Sequence, residues 1–505
     1  MEKQLSIIPK PVCVKYEDGV FHSAGLPSVA GDAEFNGEIN TFKGQLRCDL
    51  EKMKAVFSDD TEKTILCKKR GQTENNESYN LEISKDKITV ESHTGEGIFR
   101  ALQVVRQLVL SEYKDGSLTL PCAKITDYPR FSWRGFMLDC SRYFYSVKFI
   151  KQLIDVLSVH HINRFHWHLT DDQGWRLVVP EYPLLTEIGS RRQDRRLPGF
   201  TFKGGFYSDD DIRQIIDYAA ARHIEVIPEV DLPGHTSSIL ASYPGLGCMG
   251  GPYRVEDRFG IFEEVLCAGN DQIFDMIAAV FDTLARLFPS KWVHIGGDEV
   301  LFNRWEECPK CQKRLEELGL LKAQELQSWI TYKMAGMLAE RGKTAIGWDE
   351  VLNDTPKFKL PKETVVMSWQ GAAGGIKAAD LGHQVIMSPN TDGCYLDHKH
   401  LDDPEEPGQV YAGIASVEKT YSMKAVTPEI KNARLILGGQ CNLWSEYIYA
   451  GKIAEYMIFP RLCAIAEALW TQEEGKNFED FSDRLFVHGK RLDKLGINRY
   501  RGALR

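Results

Sequence analysis

The 505-residue chain predicts an α/β fold in which a (β/α)8 TIM barrel is preceded by a small α+β domain. From Asp127-Tyr-Pro-Arg130 onward, short apolar runs alternate with amphipathic helical stretches, the texture of parallel βαβ units. Eight such runs fit the strand number of a closed barrel. Their C-terminal ends carry polar or aromatic residues nearly every time, and that is the end where a barrel keeps its active site. No internal repeat or low-complexity tract is evident, which excludes solenoids and propellers. The length exceeds what one core serves, and 43% hydrophobic content suffices for two, so residues 1–127 and 128–505 are expected as separate domains.

Within residues 1–127, Glu77 to Ile83 and Lys87 to Glu91 alternate like a hairpin, and Gly97 to Leu110 has helical periodicity. No cluster of catalytic residue types falls there. The expected barrel strands are Arg134 to Leu138, Arg164 to Leu169, Glu225 to Pro228, Trp292 to Ile295, Thr344 to Gly347, Val365 to Ser368, Gln384 to Met387 and Leu435 to Gly438. Helices are expected between them at Val147 to His160, Asp210 to Arg222, Asp271 to Leu287, Ala323 to Glu340 and Ile453 to Leu469. Ser208 with Asp211 three residues on resembles a capping box. The Gly- and Arg-rich stretch Gly189 to Gly205 reads as a loop on the pocket rim.

A net charge of −9, with no long run of Lys or Arg, argues against a nucleic-acid partner. No stretch approaches 18 consecutive apolar residues, so no membrane span is expected. The opening Met1-Glu-Lys-Gln-Leu-Ser-Ile-Ile-Pro9 lacks the long apolar core of a signal peptide. The expected compartment is therefore the cytoplasm, or the periplasm or exterior if a leader has been removed. Most of the 12 cysteines, such as Cys13, Cys67, Cys140 and Cys463, sit in apolar or strand-like contexts and read as buried free thiols. Cys308-Pro-Lys-Cys311 has the spacing of half a zinc site, but no second pair follows at zinc-ribbon distance. A local disulfide or two free thiols is the preferred reading there, with a loop staple between Cys248 and Cys267 in an oxidising compartment. Neither metal nor cofactor is expected.

The most informative segment is Trp292-Val-His-Ile-Gly-Gly-Asp-Glu-Val300, where an apolar strand ends in two glycines and then delivers Asp298 and Glu299. Consecutive strand residues face opposite ways, so the two carboxylates should meet unlike surroundings and hold unlike protonation states. Adjacency argues against the usual pair of glycosidase carboxylates, which flank the scissile bond from separate elements. Other strand ends supply Asp139 and Arg142, Asp171 and Asp172, Glu229 and His235, Trp348, Trp369, Tyr395 and Asp397, and Trp444 and Glu446. Aromatic rings among carboxylates suit a sugar, whose C–H faces stack while its hydroxyls hydrogen-bond. For the tryptophans the plainer alternative is core packing, and for His235 a satisfied core histidine. A rival enzyme reading is a metal-dependent amidohydrolase built on His166-Trp-His168, Asp171 and His235. A third is a catalytically dead sugar-binding protein.

These motifs resemble glycoside hydrolase family 20, the β-N-acetylhexosaminidases. The resemblance runs through Ile7-Ile-Pro-Lys-Pro11, Arg134-Gly-Phe-Met-Leu-Asp-Cys-Ser-Arg142, His166-Trp-His-Leu-Thr-Asp-Asp-Gln-Gly-Trp-Arg176, Pro228-Glu-Val-Asp-Leu-Pro-Gly-His235 and His294-Ile-Gly-Gly-Asp-Glu299. Ile346-Gly-Trp348, Ser368-Trp-Gln370, Tyr395-Leu-Asp397 and Leu443-Trp-Ser-Glu446 follow in family order. The resemblance implies exo-acting removal of terminal N-acetylhexosamine, with the sugar's own acetamido oxygen as nucleophile and retention of the β configuration. It gives Glu299 the role of acid and base, Asp298 the acetamido N–H, and Tyr395 the acetamido oxygen. Trp348, Trp369 and Trp444 would box the acetamido group and ring. Arg142, Glu446 and Asp397 would hold the hydroxyls, and Asp171 with His235 would support Glu299. Asp172 and Glu229 are read as structural partners. By analogy with the relatives' usual work, the protein would be a bacterial glycan scavenger.

Overall fold

A computed structural model of the chain describes residues 4–193, 202–352 and 357–502. Eight parallel strands close a barrel: β1 (Trp133–Asp139), β2 (Arg164–His168), β3 (Glu225–Glu229), β4 (Trp292–His294), β5 (Thr344–Trp348), β6 (Val365–Ser368), β7 (Val385–Met387) and β8 (Ile436–Leu443). β8 pairs with β1 to complete the ring, in register from Gly438 opposite Trp133 to Leu443 opposite Leu138. All eight expected strands are present. β8 runs on to Leu443, past the expected end at Gly438.

Strand alternation divides the side chains into two sets. Phe136, Leu138, Phe165, Trp167, Val226, Val293 and Val366 pack outward against the helices. Trp133, Met137, Ile227, Ile346, Trp348, Met367 and Ile386 fill the barrel. Toward the C-terminal ends the inward positions turn polar, with Asp139, His168, Glu229 and His294 all fully buried.

The expected helix over 453–469 is two helices, Gly451–Ile458 and Arg461–Trp470. Pro460 has no N–H to donate and drives Phe459 out of the helical region, to φ −105° and ψ 134°. The Ser208–Asp211 capping box forms, on the helix Asp209–Ala220. The expected rim loop is partly a hairpin, Arg191–Gln193 pairing with Phe202–Gly204, and its residues 194–201 lie outside the described residues.

Ahead of the barrel, the expected hairpin, Tyr79–Ile83 with Lys87–Ser92, sits in a seven-stranded sheet. The helix Gly95–Glu112 is buried at every position from Gly97 to Leu110, because it is covered by the sheet on one side and the barrel on the other. Glu77 from this domain takes ion pairs from Arg100 and from the barrel's Arg134, and Asp127 accepts the indole N–H of Trp470 at 3.1 Å.

All 12 cysteines are free, so neither the Cys248–Cys267 staple nor a Cys308–Cys311 disulfide forms. Cys67, Cys140 and Cys463 are buried, Cys13 half-buried. Cys248, Cys267, Cys308 and Cys311 instead meet in one cluster.

Candidate active site

Glu229 at the end of β3 is the hub of the barrel's upper interior. Its carboxylate contacts His168 Nδ1, lies 2.9 Å from both His166 Nε2 and His294 Nδ1, and accepts the Trp348 indole N–H at 3.0 Å. Burial opposes its charge, but the His168, His294 and His166 imidazoles outweigh burial and hold the carboxyl well below the usual range. Trp348 is thereby locked as a fully buried floor. The ligand set of the rival amidohydrolase reading does not converge as a whole: among the described residues His166 groups with Glu229 and His294, whereas His235 groups with Asp171 and Asp172.

Above this layer the chain leaves β4 at His294 and turns through left-handed backbone at Gly296 (φ +67°), Gly297 (φ +97°) and Glu299 (φ +53°). Asp231 pins the turn, accepting the Gly297 N–H at 3.0 Å, and a Cβ at Gly296 would lie 1.6 Å from the same oxygen. Asp298 and Glu299 therefore do not stand on a strand, and alternation is not what separates them. The left-handed Glu299 does so instead, leaving its side chain 31% exposed against 10% for Asp298. A non-glycine residue in this region signals stored strain, which collects at functional sites. Burial and the neighbouring Asp231 push the Asp298 carboxyl well above the usual range. Its Oδ1 has no hydrogen-bond partner among the described residues.

His235, also left-handed at φ +53°, links the acid pair to the next strands. Its Nε2 lies 3.5 Å from Glu299 Oε2 and 3.9 Å from Asp298 Oδ2. Its Nδ1 faces Asp172 Oδ2 at 3.1 Å and Asp171 Oδ1 at 3.3 Å. Burial disfavours its charged form, but Asp171 leads the acidic neighbours that raise it well above an ordinary histidine. Asp172 also accepts from the Ser237 backbone and hydroxyl, the structural part the sequence gives it.

The Asp171 oxygen away from His235 pairs with Arg142 Nη2 at 2.8 Å, so a continuous chain runs Arg142, Asp171, His235, Glu299. Arg142 is further held by Asp139 (3.2 Å) and Gln173 (3.0 Å), lies 5.0 Å over the Trp444 ring, and reaches within 3.9 Å of Glu446.

The aromatic wall completes the site. Trp369 and Tyr395 lie nearly parallel, 11° apart with centroids at 6.0 Å, and Trp444 stands 6.1 Å from Tyr395 and 5.8 Å from Trp348. Asp397 is buried; Gln409 donates to its Oδ2 at 3.1 Å, while Oδ1 has no partner among the described residues. Burial and the nearby Glu446 push Asp397 well above the usual range, and burial raises Glu446 against the pull of Arg142.

The structure brings close together the eleven residues to which the resemblance gives a role at the site. Sequence reasoning misses two carboxyls that arrange it. Asp231 lies two residues past Glu229, inside a motif read only for Glu229 and His235. Glu350 lies two past Trp348 and accepts the Trp369 indole N–H at 2.9 Å and the Gln370 amide at 2.8 Å. Burial, with Asp298 and Asp349 close by, pushes Glu350 up to about 9.

Comparison with known proteins places this geometry. A model described as "Glycosyl hydrolase family 20, catalytic domain" matches residues 131–473, and "Glycosyl hydrolase family 20, domain 2" matches residues 4–128. A beta-hexosaminidase of Porphyromonas gingivalis is 41% identical over 84% of this chain, which spans only 54% of that relative's length. A beta-hexosaminidase of Vibrio furnissii is 33% identical over 92% of this chain and 76% of its own. The crystal structure of a GH20 exo beta-N-acetylglucosaminidase from Vibrio harveyi, in complex with N-acetylglucosamine, superposes with a TM-score of 0.88 at 32% identity, covering 98% of this chain and 78% of that one. With both family models matched in order along the chain, this protein belongs to glycosyl hydrolase family 20.

Proposed function

We propose that the chain is an exo-acting β-N-acetylhexosaminidase that removes terminal β-linked N-acetylglucosamine or N-acetylgalactosamine by retaining, substrate-assisted catalysis. The observation that carries the reading is the single turn presenting Asp298 and Glu299 side by side, one buried with an oxygen that has no partner among the described residues, the other half-buried and backed by His235. Two carboxylates on one turn do not flank a glycosidic bond from opposite sides, whereas one acid beside one acceptor suits a substrate that carries its own nucleophile. The names of the Porphyromonas and Vibrio relatives point the same way.

In this mechanism Glu299 gives its proton to the glycosidic oxygen as the C1–O bond breaks, while the acetamido carbonyl oxygen bonds to C1 and forms an oxazolinium ion. The Tyr395 hydroxyl donates to that oxygen and holds it in line. Asp298 accepts the acetamido N–H. As positive charge develops on that nitrogen the hydrogen bond strengthens, so the interaction is strongest where the barrier lies. Glu299 then takes a proton from the water that opens the ring at C1, restoring the β configuration. Trp369 and Trp444 hold the acetamido group and ring over the Trp348 floor, giving the intramolecular attack its high effective molarity. Arg142, Asp397 and Glu446 offer donors and acceptors to the sugar hydroxyls.

The test is hydrolysis of matched aryl β-glycosides of N-acetylglucosamine, N-acetylgalactosamine and glucose, with a thiazoline analogue of the intermediate as inhibitor. Cleavage of only the acetamido sugars, blocked by the thiazoline, is expected; equal cleavage of the glucoside would overturn the reading. Glu299→Gln should cost a poor leaving group at least about tenfold more in kcat/KM than an activated aryl one, because protonation matters less when the leaving group is already good.

A further inference from the structure

We propose that Cys248, Cys267, Cys308 and Cys311 bind a structural zinc ion that clamps the loop after β3 to the loop after β4, beside the acid pair. The Sγ atoms of Cys248 and Cys311 are 3.8 Å apart, those of Cys267 and Cys308 3.8 Å, and those of Cys267 and Cys311 3.6 Å. All four lie within 4.8 Å of one another. A tetrahedron with Zn–S bonds of about 2.3 Å places its sulfurs about 3.8 Å apart, whereas a disulfide brings two to about 2.05 Å. The spacing is that of four thiolates around one cation. Four soft thiolates in tetrahedral array select zinc over hard cations, and a shell closed by four protein ligands marks a structural site, with no open position for chemistry.

The ligands come from parts of the chain that the barrel brings together. Cys248 and Cys267 begin and end an excursion of the loop after β3. Cys308 and Cys311 flank the first turn of the helix Pro309–Leu318, after β4. The two loops approach so closely that a Cβ on Gly269 would lie 2.2 Å from the backbone carbon of Lys310. Cys267 N–H donates to Leu246 O at 2.8 Å, and the Trp305 indole donates to Leu266 O at 2.8 Å, so the sulfurs are held on a braced backbone. Cys267, Cys308 and Cys311 are buried. The sequence hides the set because the second pair lies upstream of Cys308, its members separated from each other by a long loop.

The clamp bears on the active site. Between Cys248 and Cys267 the loop donates the Glu256 N–H to Asp172 O at 3.1 Å and accepts the Gln173 side-chain amide on Arg258 O at 2.8 Å. Asp172 faces His235, and Gln173 holds Arg142. The ion would thus be a positioning element, fixing His235 on one loop relative to Glu299 on the other.

Elemental analysis of the purified protein tests this without reference to activity. One zinc per chain is expected, falling to near zero in the Cys308→Ser/Cys311→Ser variant. Replacement by cobalt in the unmutated protein should give the sulfur-to-cobalt charge-transfer absorption and intense visible bands of a tetrahedral thiolate site, so the test survives if the variant fails to fold. Removal of the ion by a strong chelator should lower Tm by roughly 5 °C or more, restored by added zinc. Folded protein with no equimolar zinc and no cobalt–thiolate spectrum, an equimolar iron content in its place, or disulfides among these four cysteines by mass spectrometry would overturn the proposal.

Discussion

At the scale of single residues, Glu350 is a group whose chemistry its surroundings set. Asp298, Asp349 and Glu350 crowd one side of the pocket, and buried carboxyls so close cannot all ionise. Glu350, pushed up to about 9, is neutral at pH 7 and serves as a hydrogen-bonding bracket for Trp369 and Gln370. A neutral amide of the same shape should replace it, with Gln370 turning its own amide to suit. Glu350→Gln is therefore expected to keep kcat/KM at pH 7 within about threefold, while Glu350→Ala, which strands the Trp369 indole, should lose about tenfold. The sign of the pH effect follows from linkage. A carboxyl raised from about 4.3 stabilises the fold fully below that pH and loses its contribution as pH rises toward 9. The Tm of Glu350→Gln relative to the unaltered protein should accordingly climb between pH 5 and pH 9, and a flat difference would remove Glu350 from this role. Such bracket residues are hard to read from a sequence. Glu299 and Trp444 stand in motifs that announce contact with substrate, whereas Glu350 and Asp231 act only through the groups they hold.

At the scale of elements, the turn after β4 shows which parts of the fold the sequence displays. The eight strands are legible because each is a short apolar run buried on both faces, and the Ser208 cap because its chemistry is local. The break at Pro460 is equally local, yet the apolar periodicity running through it masks two helices as one. The sheet before the barrel is less legible. Its strand Cys13–Ser23 is largely exposed and shows no clean alternation, so its pairing with Ser117–Asp127 is set by partners distant in sequence. The Gly296-Gly297 pair announces a turn but not its cause, which is the Asp231 carboxylate seated against it. Gly296→Ala would need a Cβ 1.6 Å from Asp231 Oδ1 and a left-handed alanine besides. The expected cost is about 2–4 kcal/mol of stability, with a loss of activity as Asp298 and Glu299 shift together. Thermal unfolding with kcat/KM on the same sample checks it, and a variant that melts and turns over like the parent would show that the turn can relax without cost.

At the scale of the whole molecule, the small domain and the barrel are joined through buried charge as well as apolar packing. Arg106, fully buried on the helix Gly95–Glu112, donates to Asp49 at 2.7 Å within its own domain and to Asp155 at 2.7 Å on the barrel helix Val147–Val159. Asp155 also takes Gln45 at 2.9 Å and Arg222 at 3.0 Å, so three side chains drawn from both bodies share one carboxylate. Burial opposes that charge, yet Arg106 and Arg222 hold the Asp155 carboxyl well below the usual range. Removing one member of a buried pair leaves the others uncompensated, at a cost of about 3–5 kcal/mol. Arg106→Ala should therefore lower Tm clearly at pH 7. No residue of this cluster belongs to the catalytic site, so kcat/KM at 25 °C should stay within about twofold. A depressed carboxyl contributes stability above its unfolded value near 3.9 and loses it as pH falls through the folded one. The Tm gap between parent and variant should accordingly narrow in strong acid. Calorimetry from pH 7 down to about pH 2, paired with an activity assay at pH 7, distinguishes this from a change transmitted to the pocket: a gap that stays unchanged below about pH 4, or activity that falls in step with Tm at pH 7, would mean that the charge cluster is not what couples the two domains.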